Sequence, residues 1–304
     1  MEGVLITGGS GMVGTALTGQ LQQLGYKVAH LGREAGRHGG VITYKWDYKT
    51  GYLDENAFDG MHYVVNLVGA NVGEGRWTEA RKKVLYDSRV KTTRLLADTV
   101  KKLNVPLKKV VSTSAVGYYG NTIVLVDEDT PAGNDFLSKL CLDWENEAKR
   151  FEQMNIPLAI TRFGIVFSET GGFIEQVSKP VKMGVGAILG TGQQMISWIH
   201  IDDLTSLLTR AITDPSLTGI YNFVSPQPAS NEAITRSIAR TLHKPLWLPK
   251  VPAFALKLLF GDMSYELLAS HNASAKKIME AGYTFKHPDL DEAIAEVLKN
   301  KAST

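Results

Sequence analysis

The chain has 304 residues, 44% of them hydrophobic, with 33 Lys and Arg against 31 Asp and Glu. That length and apolar content allow a large buried core in one large domain or two smaller ones, and a net charge of +2 supplies no field that would gather nucleic acid or an anionic membrane. The single cysteine, Cys141, excludes an internal disulfide and a thiolate-rich metal site, and it fits a reducing compartment.

Val4-Leu5-Ile6 reads as a buried strand running into Thr7-Gly8-Gly9-Ser10-Gly11-Met12-Val13-Gly14, a T-G-x-x-G-x-x-G turn ahead of an amphipathic segment. This spacing serves a dinucleotide pyrophosphate. Gly8 permits the tight turn, Gly11 lets the main chain approach the phosphates, and Gly14 lets the new helix pack on the strand. The first helical residues, Met12, Val13 and Gly14, aim free N–H groups at the anion. Leu17, Leu21 and Leu24 continue the helix, Gly25 ends it, and Val28-Ala29-His30-Leu31 completes a βαβ unit. NAD sites usually place an acid at the end of that second strand. Here Leu31-Gly32-Arg33 stands instead, and Arg33 can fork onto a phosphate or stack on adenine, with Arg37 and His38 adding charge nearby. NADP is the expected cofactor.

Residues 40–47, 63–69 and 109–114 read as further strands, alternating with helical patterns such as 78–102, where Val84, Ser88, Lys91 and Leu95 mark one face. The rhythm predicts an α/β Rossmann fold, a doubly wound parallel sheet whose ligands sit beyond the carboxyl ends of the strands. Residues 158–166 read as one more strand, followed by Gly171-Gly172 and the glycine-studded 184–192. Pro226, Pro228, Pro245, Pro249 and Pro252 punctuate a mainly helical last third, with a short apolar strand near Leu246-Trp247-Leu248. The expected organisation is a dinucleotide-binding domain over 1–168, to which about 195–225 return, and a smaller, mainly helical C-terminal substrate lobe from 169–194 and 226–304. The apolar stretch 251–260 is too short for a bilayer, which needs about 20 residues. The opening residues lack a secretory leader pattern, so a cytoplasmic location is expected, or an organellar matrix if a presequence has been removed.

The Gly8 motif, Asn66-Leu67-Val68-Gly69, Ser112-Thr113-Ser114-Ala115, residues 162–166 and Trp198-Ile199-His200-Ile201-Asp202-Asp203 occur in the order of the extended short-chain dehydrogenase/reductase superfamily, which the chain resembles over nearly its whole length. Ser88-Arg89, residues 115–120, Asp143-Trp144-Glu145, Gly192-Gln193-Gln194 and Val251-Pro252-Ala253-Phe254 make it similar to the atypical epimerase family protein branch, family 39U. The resemblance implies an NADP-binding Rossmann lobe and a C-terminal substrate lobe. It implies Gly32 and Arg33 at the adenosine phosphate, Asp47 at the adenine, and Leu67 and Val68 as backbone lining the cofactor. Arg89 would reach towards it from a helix, and Val166 would sit beside the nicotinamide. A homodimer through the helix carrying Arg89 is compatible with the superfamily's usual contact.

Family chemistry rests on a Tyr-x-x-x-Lys pair plus a Ser or Thr. Registering Glu145 on the acid that follows the family's lysine puts Cys141 at the lysine position and Leu137 at the tyrosine position, so the pair is absent. The surviving serine is Ser114, with Ala115 as the rival alignment. A strand-end hydroxyl bonding the backbone is its plainer reading. Tyr118, Tyr119 and His200 are candidate replacements for the proton donor, against which stand packed tyrosines and a hydrogen-bonded strand histidine. Two functions follow. One is an NADP-dependent oxidoreductase or epimerase-like enzyme, its small-molecule substrate unidentified and its pocket lined by Arg76, Trp77, Arg81, Gln193, Gln194 and Trp198. The other is an NADP-binding regulator or scaffold, a reading the family's link to bacterial or plastid division also supports. Neither calls for a nucleic-acid or membrane partner.

Overall fold

In the computed structural model, which describes residues 1–300, the first strand β1 (Gly3–Thr7) is buried along its whole length. It pairs in parallel with β2 (Lys27–Gly32) on one side and with β6 (Met61–Asn66) on the other. Beyond β2 lies β4 (Val41–Asp47), and beyond β6 lie β7 (Lys109–Ala115), β9 (Leu158–Phe163) and β14 (Gly219–Phe223), all parallel. Near-continuous apolar runs such as Val4-Leu5-Ile6 suit strands covered on both faces. The strand order reverses between β1 and β6, which fixes the crevice where ligands enter such sheets. Two short strands, β3 (Gly36–His38) and β5 (Tyr52–Leu53), run antiparallel to β4 and carry Arg37 and His38 on an exposed edge hairpin.

The helix α1 (Met12–Gln23) buries Leu17 and Leu21, while Leu24 forms its exposed C-cap. The long helix α2 (Glu79–Leu103) starts at Thr78, whose hydroxyl accepts from Arg81 N, and ends at Asn104 in the left-handed conformation. Its buried face is Leu85, Thr93, Leu96, Ala97 and Val100; the expected face through Val84 and Lys91 is exposed. Threonines that hydrogen-bond inside the protein disguise the apolar stripe.

The expected single strand over 158–166 breaks at Gly164. There the chain leaves the main sheet: Gly164 N donates to Phe223 O, and Ile165 N donates to Ser197 O. A methyl at Gly164 would lie 2.6 Å from Ser197 O, so only glycine allows this crossing. The continuation, β10 (Ile165–Ser168), pairs with β11 (Gly171–Gly172) and β13 (Trp198–His200) in a separate sheet. Within the segment 195–225, β14 joins the main sheet and α5 (Ile201–Thr213) packs on α1, while β13 pairs with β10. A third sheet joins β8 (Thr122–Val126), β12 (Met195–Ile196), β15 (Ala229–Ser230) and β16 (His271–Ala273).

Around Trp198 and Phe167 gather apolar residues of α4 (Phe173–Lys182), α6 (Asn231–Thr241) and α10 (Leu290–Asn300), forming a core distinct from that of the Rossmann sheet. The helices α7 (Ala253–Phe260), α8 (Met263–Leu268) and α9 (Lys276–Glu280) complete the C-terminal part. No strand forms at Leu246-Trp247-Leu248; Pro245 and Pro249 bracket a segment with too few ladder donors to sustain one. Among the described residues no helix is long and apolar enough to cross a membrane.

Candidate cofactor and active site

β1 ends where Gly8 adopts φ +69° and Gly11 N donates to Gly8 O at 3.0 Å, turning the chain into α1. A methyl at Gly14 would stand 2.5 Å from Gly8 O, which is the close helix–strand contact its spacing predicts. Gly9 is equally constrained, since a Cβ there would lie 2.4 Å from the His30 ring, itself held by Thr18 Oγ1 at 2.8 Å. No side chain caps Gly11, so the N–H groups of Met12, Val13 and Gly14 are left for an anion. A Cβ at Gly8 would come within 3.2 Å of the Leu67 carbonyl and Val68 Cα, so the elbow and the Leu67-Val68 backbone share one floor.

That floor is pinned by a buried polar network. Thr7 Oγ1 donates to Asn66 Oδ1 at 2.8 Å and accepts from Leu67 N and Val68 N at 3.1 Å. Asn66 Nδ2 in turn donates to Thr93 and Ser112, and Trp144 Nε1 donates to Thr93. The switch point is thereby preorganised from β1, β6, β7, α2 and α3 (Phe136–Ala148).

At the adenosine end, Gly32 finishes β2 and Arg33 projects into solvent with no ionic partner among the described residues. Asp47 finishes β4, where its carboxylate accepts from Lys49 N at 2.8 Å. At the opposite end, a Cβ at Gly172 would stand 3.6 Å from the Met12 sulfur and 3.8 Å from the Val166 carbonyl oxygen, so the β10–β11 hairpin reaches over the start of α1. Arg89 lies beside the strand-end loop, donating to Leu85 O and Ala70 O and sitting 5.4 Å from the Trp144 ring. It forms no ion pair with a carboxylate of the described residues, and burial pushes its guanidinium down to about 10.

Ser114 occupies the carboxyl end of β7 and is buried, its hydroxyl donating to Glu145 Oε1 at 2.6 Å. Glu145 also receives Arg162 Nε at 2.8 Å and Nη2 at 2.9 Å, a bidentate pair with both side chains 1% exposed. Burial opposes the Arg162 charge, but its bonds to Glu145 outweigh that and hold it above its ordinary value. The Ser114 hydroxyl is thus committed to this pair. Tyr119 is committed too: its hydroxyl accepts from Arg162 Nη1 and donates to Asn222 Oδ1, and burial pushes the phenol up to about 12. His200 caps α5 by accepting from Asp202 N. Burial, reinforced by His287, pushes His200 below the usual imidazole range. Tyr118 is different. Its ring is covered by the Arg162 guanidinium at 3.4 Å, and its hydroxyl has no protein partner among the described residues.

A family model, the NAD dependent epimerase/dehydratase family, matches residues 4–223, and a second, DUF1731, a domain of unknown function, matches 251–297. The chain belongs to the NAD-dependent epimerase/dehydratase family. An epimerase family protein of Mycobacterium bovis is 35% identical over 293 residues, covering 96% of both chains. Epimerase family protein YfhF of Bacillus subtilis is 31% identical over 98% of each. Among solved structures, the human epimerase family protein SDR39U1 (isoform 2), crystallised with NADPH, superposes with TM-score 0.87 at 30% identity, covering 98% of this chain and 99% of that one. The UDP-glucose 4-epimerase of Thermus thermophilus, complexed with NAD, shares the fold at 17% identity and TM-score 0.77.

This epimerase-family chain carries Leu137 and Cys141 on α3 at the positions expected for a Tyr and Lys, and neither can replace them. Cys141 is buried, which pushes its thiol up to about 12. Beyond the start of α3 opens a cavity of about 590 Å³, walled by Trp77, Phe136, Phe254 and Tyr265, with Lys82 and Asp135 among its polar groups. Of the residues expected to line a pocket, Trp77 does so. Arg76 lies against Gly261, Arg81 is turned to Asn71 O, and Gln193 is exposed. Gln194 bonds backbone at Leu189 and Leu267, and Trp198 is stacked in the C-terminal core. Gly9, the Thr7–Asn66 network and the Glu145–Arg162 pair were not anticipated. Only Arg162 carried a signal in the sequence, a charge inside the apolar run 158–166; Glu145 sits among other charged residues and gave none.

Proposed function

We propose that the protein binds NADPH across the crevice between β1 and β6, and transfers hydride between that cofactor and a carbonyl or alcohol centre of a small substrate held in the cavity beneath α7 and α8. The observation that carries this reading is the unpaired Arg33 just after β2, in a fold whose α1 starts uncapped, with no carboxylate at that strand end to accept ribose hydroxyls. The NADPH in the human relative supports the same choice of cofactor. Arg89, a cation without a carboxylate partner among the described residues, fits a second contact with the bound nucleotide.

When bound, the cofactor supplies the hydride; the chain must supply the proton. Ser114 and Tyr119 are tied into the Arg162 cluster and His200 caps a helix, so Tyr118, whose ring lies beneath a guanidinium and whose hydroxyl has no protein partner among the described residues, takes that role. The absence of a Tyr-Lys pair on α3 favours a second reading, an NADPH-binding protein that has given up turnover. The two separate by assaying NADPH oxidation over a panel of carbonyl compounds and nucleotide sugars. The enzyme reading expects turnover that drops about 10²- to 10⁴-fold in Tyr118→Phe while NADPH affinity holds. Tight NADPH binding with no turnover across the panel selects the second.

A further inference from the structure

His200, Asp202 and His287 converge where the start of α5 meets the loop ahead of α10, each offering one ligand atom within 4.8 Å of the other two. We propose that they bind a divalent transition-metal ion of the zinc type. His200 Nδ1 lies 3.9 Å and His287 Nε2 3.6 Å from the same oxygen, Asp202 Oδ2, and the two imidazole rings are 3.9 Å apart at their centroids. Metal bonds of about 2.0–2.2 Å require ligand atoms about 3.3 Å apart. Asp202 is 55% exposed and can turn inwards to meet both imidazoles, which must themselves draw together from within the 4.8 Å limit as the ion binds.

The surroundings hold the other ligands in place. His287 Nδ1 is 2.9 Å from Glu296 Oε2, the carboxylate–imidazole contact that fixes the tautomer and leaves Nε2 free to ligate. Asp203, fully buried, accepts from Tyr283 Oη at 2.8 Å, Lys286 N at 2.8 Å and His287 N at 3.0 Å, nailing the loop that carries His287 to α5. His200 is 4% exposed at the end of β13, and the one bond its Nδ1 accepts, from Asp202 N, is long at 3.3 Å and exchanges readily for a metal. Two imidazoles and one carboxylate with room for water form a donor set suited to zinc, cobalt, nickel or copper rather than to magnesium or calcium. The ion would clip the C-terminal loop to α5, the helix packed on α1, and its effect would be on stability rather than chemistry.

The test uses the full chain, free of any histidine tag and stripped with a chelator, titrated with Co²⁺ and Zn²⁺. Saturation at one equivalent, with visible cobalt d–d bands and a Zn²⁺-dependent rise in Tm, is expected. His287→Gln should abolish both, and Glu296→Gln should weaken uptake about 10- to 100-fold. Asp202→Asn, at an exposed position, should lose at least about tenfold and serves if the histidine variant fails to fold. No saturable uptake by the parent chain, or uptake that these variants leave unchanged, overturns the site.

Discussion

Glu145→Gln is the perturbation whose size the structure fixes best. The native carboxylate takes two bonds from Arg162, at 2.8 and 2.9 Å, and one from Ser114 at 2.6 Å, where water does not reach. The amide keeps the shape and one acceptor but leaves the guanidinium's charge buried and uncompensated, a loss of about 3–5 kcal/mol. Unfolding entropy of about 2.1 cal/mol/K per residue over 304 residues makes each kcal/mol worth about 1.6 °C, so Tm should fall by about 5–8 °C. Ser114→Ala removes only one bond to the same carboxylate and should cost about 1.5–3 kcal/mol. The double variant Glu145→Leu with Arg162→Met, which removes both charges, should recover most of the single variant's loss. Scanning calorimetry with urea unfolding reads all three. A Glu145→Gln protein melting within about 1 °C of its parent would refute the view that this pair anchors β7, β9 and α3 together.

Two glycines of α1 make a matched comparison. Gly14→Ala puts a methyl 2.5 Å from Gly8 O and should abolish measurable nucleotide binding by calorimetry, whereas Gly19→Ala meets nothing within 4 Å and should stabilise the fold by about 0.5–1 kcal/mol. Equal effects at the two positions would contradict the elbow's geometry. Cys141 should resist iodoacetamide in the folded protein and react in step with urea unfolding. Its thiol, pushed up to about 12 by burial, keeps its proton where an unfolded thiol, ionising near about 8.5, has lost it. Stability should therefore fall as pH rises beyond that lower value. Stoichiometric labelling of the native protein would contradict both.

The phosphate elbow was legible because its demands fall on spacing within one short segment. Gly9 was not, since the ring that excludes a side chain there comes from His30 on the next strand. The same limit hid the break at Gly164: residues 158–166 look like one apolar run, and the Ser197 backbone that forces the crossing lies far along the chain. On α2 the apolar pattern misled because Thr92 and Thr93 are buried while Val84 faces solvent. Leu137 and Cys141 were readable from register alone. What Ser114 faces depends on Glu145 and Arg162 folding together, which spacing does not encode.

Isothermal titration of the parent chain and of Arg33→Ala with NADPH and NADH tests the cofactor assignment most directly. The expected result is NADPH binding tighter than NADH by about tenfold or more, with Arg33→Ala losing most of that preference and little NADH affinity, as removal of one charge-assisted contact to a phosphate predicts. Equal weakening towards both nucleotides, or no uptake of either by well-folded parent protein, would contradict it.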